Sequence, residues 1–248
     1  MKIAIYGDSF GDIKKYEPYA KDNIKFQQRI QSSWPALLAD KYNIDNFSKS
    51  STGLEWSYNL AINNTVEYDK VIFLASHVDR LMVNSEWSND TKLKHLNQAA
   101  TADSKDPLEN KILKTAQKYY AYFHNREFSH NRAALMYNDL KQRFGDKILL
   151  LRIFPDGLGH QGTYNCDNQL LLADIQVNEI TQRYGRINSS QMSKKLLRPD
   201  RRICHITKPH HDMMFTKIDN WIQTKEFSLT QQDLITINKQ ELAKYFDD

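Results

Sequence analysis

The sequence predicts an α/β protein in which a central parallel sheet is covered by helices on both faces. Two observations carry that expectation. Three apolar runs, Lys2–Tyr6, Lys70–Ala75 and Lys147–Phe154, are continuous rather than alternating, which is the pattern of strands buried on both sides. Between them lie segments whose apolar residues recur at helical spacing, and strands alternating with helices give parallel sheets joined by right-handed crossovers.

The first run breaks at Gly7 and releases the chain through Asp8-Ser9-Phe10-Gly11. Asp12 to Ile30 is polar and rich in Lys and Tyr, and receives no element. Ser32-Ser33-Trp34-Pro35 reads as a helix start, with Ser33 as candidate cap, Pro35 in the first turn, and Trp34, Leu37, Leu38 and Tyr42 toward the sheet. Tyr42–Phe47 is a short strand. A loop of small polar residues, Ser48 to Gly53, leads into a helix over Leu54–Asn63 that turns Leu54, Tyr58 and Ile62 inward.

The strand Lys70–Ala75 ends in Ser76-His77-Val78-Asp79-Arg80. Asn84 to Asp106 is polar and aperiodic, a long excursion of the kind that covers sites. Pro107–Phe144 is helical in pattern, and Ser129-His130-Asn131 is expected to divide it into two helices. The aromatic stripe along it, Tyr119, Tyr120 and Phe123 included, is ordinarily core. After the strand Lys147–Phe154, the glycines at 157, 159 and 162 lack the order of a dinucleotide or phosphate loop. Asp167–Tyr184 reads as a helix, Lys194–Arg202 as a basic connector, and Pro209–Lys225 as the last helix of the core, with Met213, Met214, Ile218 and Trp221 as its apolar face. Together these elements predict a flavodoxin-like three-layer α/β/α sandwich over residues 1–225. A helical and loop insertion falls at about 84–144, and a helical appendage at 226–248.

Composition narrows the function classes. With 40% hydrophobic residues in 248, the chain has enough apolar surface for one sizeable core and is not of the disordered class. The 34 Lys and Arg stand against 30 Asp and Glu without a long run of one sign, so no nucleic-acid partner is expected. Cys166 and Cys204 have neither metal-ligand spacing nor the look of a disulfide framework, which fits a reducing compartment. No apolar run reaches membrane-spanning length, and a core strand starting at residue 2 leaves no room ahead of it for a signal peptide. The expectation is a cytoplasmic protein with no membrane partner and no cofactor or metal. Frequent Lys, Asn and Ile suggest an AT-rich bacterial or phage genome.

The sequence places polar turns after its strands, where parallel sheets bind ligands. Ser9 stands in the first of them. A Ser or Asp there is also an ordinary turn former or helix cap, so position alone leaves both readings open. Gly7-Asp8-Ser9 after a short strand resembles the first block of the SGNH (GDSL-type) hydrolases, and His205-Ile206-Thr207 ahead of the Pro209 helix is similar to their last block. The resemblance implies the SGNH hydrolase fold, with Ser9 as nucleophile and His205 as base, chosen over His210 and His211. Those two fall in the first helical turn, where exposed or capping roles are expected. The family's acid stands three residues before the His, a place held here by Arg202. Asp200 is the nearest acid, and a Ser-His dyad is the alternative.

For the oxyanion the resemblance implies the N–H groups of Ser9 and Gly53 and a side chain after the third strand. Gly53 is otherwise a turn glycine. The family carries Gly-x-Asn-Asp after that strand, whereas this chain reads Ala75-Ser76-His77-Val78-Asp79. His77 aligns with the Asn, and a neutral imidazole N–H can donate one hydrogen bond. A turn histidine in a site that has drifted from catalysis is the other reading. The expected function is a metal-free serine esterase or deacylase acting on a small-molecule or glycan ester, such as an O-acetyl group. The alternatives are a catalytically impaired carbohydrate- or protein-binding module and, with less support, a phosphoryl-transfer domain using Asp8.

Overall fold

The computed structural model describes residues 1–12, 27, 30–49, 52–76, 78, 114–115, 118–119, 122, 125–153, 166–167, 172, 175, 206–230, 232–233 and 237. Four strands form one sheet: β1 (Lys2–Tyr6), β2 (Asn43–Asn46), β3 (Lys70–Ala75) and β4 (Ile148–Arg152). Their order is β2-β1-β3-β4, and every pairing is parallel. The register sets Ile5 beside Ile72 and Ile72 beside Leu149, so apolar side chains from three strands stand in a row.

Helices cover both faces. They are α1 (Trp34–Lys41), α2 (Leu54–Asn63), α3 (Arg126–Phe144) and α4 (Lys208–Thr224). Because successive residues of a strand point to opposite faces, each strand feeds two separate cores. Ile3, Ile5, Ile72, Leu74, Leu149 and Leu151 meet Trp34 and Leu38 of α1 and Met214, Ile218 and Trp221 of α4. Ala4, Tyr6, Val71, Phe73 and Leu150 meet Leu54 and Ala61 of α2 and Ala133, Tyr137 and Leu140 of α3. The result is the expected α/β architecture in three layers.

Three local expectations change. Helix α3 runs unbroken through Ser129-His130-Asn131. Its start is instead set by Asn125, whose side chain accepts the Phe128 N–H at 3.1 Å, and Ser129 and His130 are buried within it. Strand β4 begins one residue late because Gly145–Lys147 forms a 3₁₀ turn. On α2 the fully buried positions are Leu54, Ser57 and Ala61, while Tyr58 and Ile62 are half-buried against the core.

The connections locate the crevice. After β1 the chain goes to α1 on one face, whereas between β3 and β4 it passes through α3 on the other. Connections leaving neighbouring strands toward opposite faces open a cleft at the carboxyl ends of those strands, here β1 and β3.

Candidate active site

The exit of β1 is built around close approach and one carboxylate. A side chain at Gly7 would place its Cβ 2.5 Å from Leu74 Cβ, so β1 can lie this near the end of β3 only with glycine there. Asp8 is fully buried. Its Oδ1 accepts the Phe10 N–H at 3.1 Å, and its carbonyl accepts the N–H groups of Gly11 and Asp12, both at 3.1 Å. Asp8 therefore caps a single helix-like turn in which Ser9 is the first residue. Amides at the start of such a turn point outward from it. Ser9 keeps 8% of its surface exposed.

Two further loops are tied to this turn. Ser76, directly after β3, places Oγ 3.2 Å from Asp8 Oδ2 and 3.1 Å from the Thr52 carbonyl, its one proton shared between the two acceptors. Thr52 Oγ1 lies 2.7 Å from the Lys49 carbonyl and 3.3 Å from that of Gly7. Lys49 N–H donates to the same Gly7 carbonyl at 3.0 Å. Asn46, at the end of β2, donates from Nδ2 to the Gly11 carbonyl at 2.8 Å and accepts the Ser48 N–H at 2.9 Å. The residues immediately before Ser9, Gly53 and His77 are thus joined by buried hydrogen bonds at one end of the sheet.

Gly53 is the N-cap residue of α2 and is buried. Among the described residues no acceptor meets its N–H. Two residues on, burial pushes the Glu55 carboxyl above its ordinary value while the Arg132 guanidinium, paired with it, acts the other way. That ion pair joins α2 to α3 on the second face of the sheet.

The turn is also braced from the first face. The Trp34 indole N–H donates to the Phe10 carbonyl at 3.2 Å, and the Trp34 backbone N–H donates to His211 Nδ1 at 3.2 Å. Ser33 holds the N-cap position of α1 as expected, but its hydroxyl donates to the Ile30 carbonyl and makes no capping bond. His211, from a different helix, instead takes the N–H of the first helical residue. His210 and His211 are 0% and 2% exposed, so neither is the surface residue that the first turn of a helix suggests.

Of the residues expected to form the site, Ser9 and Gly53 stand on adjacent loops at the same end of the sheet. His205, Asp200 and His77 lie outside the described residues. Asp8, the residue of the phosphoryl-transfer alternative, turns both carboxylate oxygens to the protein's own N–H and O–H groups. Among the described residues no group of three or more His, Cys, Asp and Glu side chains is placed to hold a metal ion. No helix among them is long and apolar enough to cross a membrane. Sequence reasoning missed Asn46, Thr52, Ser76 and the pairing of Trp34 with His211. Each acts on a residue distant in the chain, and none has a local pattern that marks it. The chain matches no family model, no curated protein and no solved structure.

Proposed function

We propose that the chain is a serine esterase or deacylase, with Ser9 as nucleophile. The observation that carries this reading is the hydrogen-bonded joining of three strand-end loops through Asp8, Ser76 and Thr52. That joining sets the residues next to Ser9 and Gly53, and Ser76 after β3, at one end of the sheet. Acyl transfer needs a nucleophile beside donors fixed in advance for the charge that develops on oxygen.

In the proposed reaction Ser9 Oγ attacks the acyl carbonyl carbon while its proton passes to His205, oriented by Asp200. The carbonyl oxygen becomes an oxyanion bound by the N–H groups of Ser9 and Gly53 and by His77. Collapse of this intermediate breaks the ester bond, and His205 returns the proton to the departing alkoxide. Water or a sugar hydroxyl then attacks the acyl-Ser9 ester and gives its proton to His205. Collapse of this second intermediate breaks the bond to Ser9 Oγ, His205 returns its proton to that oxygen, and the acyl group leaves as the acid or as a new ester. The resemblance to SGNH hydrolases supports these roles, the position of Ser9 and Gly53 at the carboxyl end of the sheet supports theirs, and small-molecule or glycan esters fit them as substrates.

The test is hydrolysis of short-chain aryl and sugar acetates by the wild type and by Ser9→Ala. Turnover should fall by on the order of 10⁴-fold or more on loss of the nucleophile. Equal turnover in both proteins contradicts the assignment. No turnover in either, with retained binding of a glycan, favours the binding module instead.

A further inference from the structure

The hydrogen bonds running from α4 through α1 to the Ser9 turn assign a role to a histidine outside the proposed catalytic set. His211 is almost wholly buried, and its Nδ1 accepts the Trp34 backbone N–H at 3.2 Å. A backbone N–H can only donate, so this ring nitrogen is unprotonated and any proton on the neutral ring sits on Nε2. Trp34 is the first residue of α1, one of the positions whose N–H a helix leaves without an internal acceptor. Ser33, at the N-cap, spends its hydroxyl on the Ile30 carbonyl at 2.7 Å and caps none of the first-turn amides. The side chain of the same Trp34 then reaches the Phe10 carbonyl through its indole N–H at 3.2 Å. Phe10 follows Ser9 directly, and its own N–H is held by Asp8 Oδ1.

We infer that His211 is a positioning residue for the Ser9 turn, acting through Trp34. The inference rests on the esterase reading only for its consequence in catalysis; the mechanical link stands on the geometry. Trp34 is pinned at two ends. His211 fixes where α1 begins, and the indole, a rigid lever with two side-chain torsions, fixes the Phe10–Gly11 peptide, one residue beyond Ser9. Asn46 Nδ2 also holds the Gly11 carbonyl at 2.8 Å, a second tie on the same turn. Removing the His211 acceptor leaves the Trp34 N–H buried without that partner, and α1 must shift or fray at its first turn to find another. A displacement of about 1 Å at a nucleophile can cost around 10²-fold in rate.

Three variants separate positioning from bulk stability. His211→Leu removes the acceptor, His211→Asn keeps an oxygen near the place of Nδ1, and Trp34→Phe removes the indole donor, with part of the buried ring, while keeping an aromatic side chain. The readouts are hydrogen exchange of the Gly11 and Asp12 amides, which close the turn onto Asp8, and the rate of Ser9 labelling by a fluorophosphonate. In His211→Leu and Trp34→Phe those two amides should exchange roughly five to ten times faster, as for one lost hydrogen bond, while the β3 amides of Ile72 and Phe73 keep their wild-type rates. Labelling should slow by about 10- to 100-fold. His211→Asn should restore both readouts toward wild type. Unchanged exchange at Gly11 and Asp12, a parallel rise at β3, or an Asn variant as impaired as the Leu variant overturns the positioning role. If the wild type takes no label, the esterase reading fails, and exchange alone decides the role of His211.

Discussion

At the scale of single residues, the site depends on a few atoms in close contact, and their removal or enlargement has computable consequences. Gly7→Ala drives a methyl carbon to 2.5 Å from Leu74 Cβ, an atom fixed to the backbone of β3. The expected cost is about 1–3 kcal/mol of stability, measured by denaturant unfolding. Ser76→Ala removes a donor that serves the buried Asp8 carboxylate and the Thr52 carbonyl. It should cost about 1–3 kcal/mol and lower ester turnover as well, because the loops it joins are those proposed to bind the oxyanion. A turnover unchanged by Ser76→Ala separates that link from catalysis. Ser9 and Gly53 were legible in the sequence because strand ends are recognisable and the resemblance named them. Ser76 and Asn46 were not. A serine after a strand has many uses, and nothing near it in the chain shows that its proton reaches across to Asp8.

At the scale of elements, α1 and α4 are clamped on the first face of the sheet. Asp219 of α4 receives Lys41 Nζ at 2.8 Å on each oxygen and the Tyr42 hydroxyl at 2.6 Å on Oδ1. Burial, the largest single influence, pushes its carboxyl up, yet the bonds from Lys41 and Tyr42 outweigh it and hold the group below the ordinary carboxylate range. A carboxyl whose folded value is depressed adds stability that is present above the unfolded value and lost as pH falls through the folded one. Thermal unfolding below about pH 4 should therefore show an acid-dependent loss that Asp219→Asn reduces. An identical slope in both proteins removes Asp219 from the acid response. The element boundaries were largely legible: continuous apolar runs marked β1 and β3, and Ser33 with Pro35 marked the start of α1. The unbroken course of α3 was not, since Ser129-His130-Asn131 looks like punctuation locally but packs inside the helix, while Asn125 provides the cap.

At the scale of the whole molecule, the order β2-β1-β3-β4 makes the account coherent. It puts β1 beside β3 and sends the connections that follow them to opposite faces, so the polar turns of two distant segments meet over one cleft. Alternating strands and helices made a parallel sheet legible, but the hydrogen bonds that lock its loops together are products of tertiary packing and leave no trace in periodicity. The central claim is that Ser9 is the reacting group at that cleft. Its most direct test is treatment of the intact chain with a fluorophosphonate, followed by intact mass and peptide mapping of the adduct. The account predicts one adduct, on Ser9, absent from Ser9→Ala and strongly slowed in His205→Ala. An adduct on a different serine, or labelling that persists in Ser9→Ala, contradicts it.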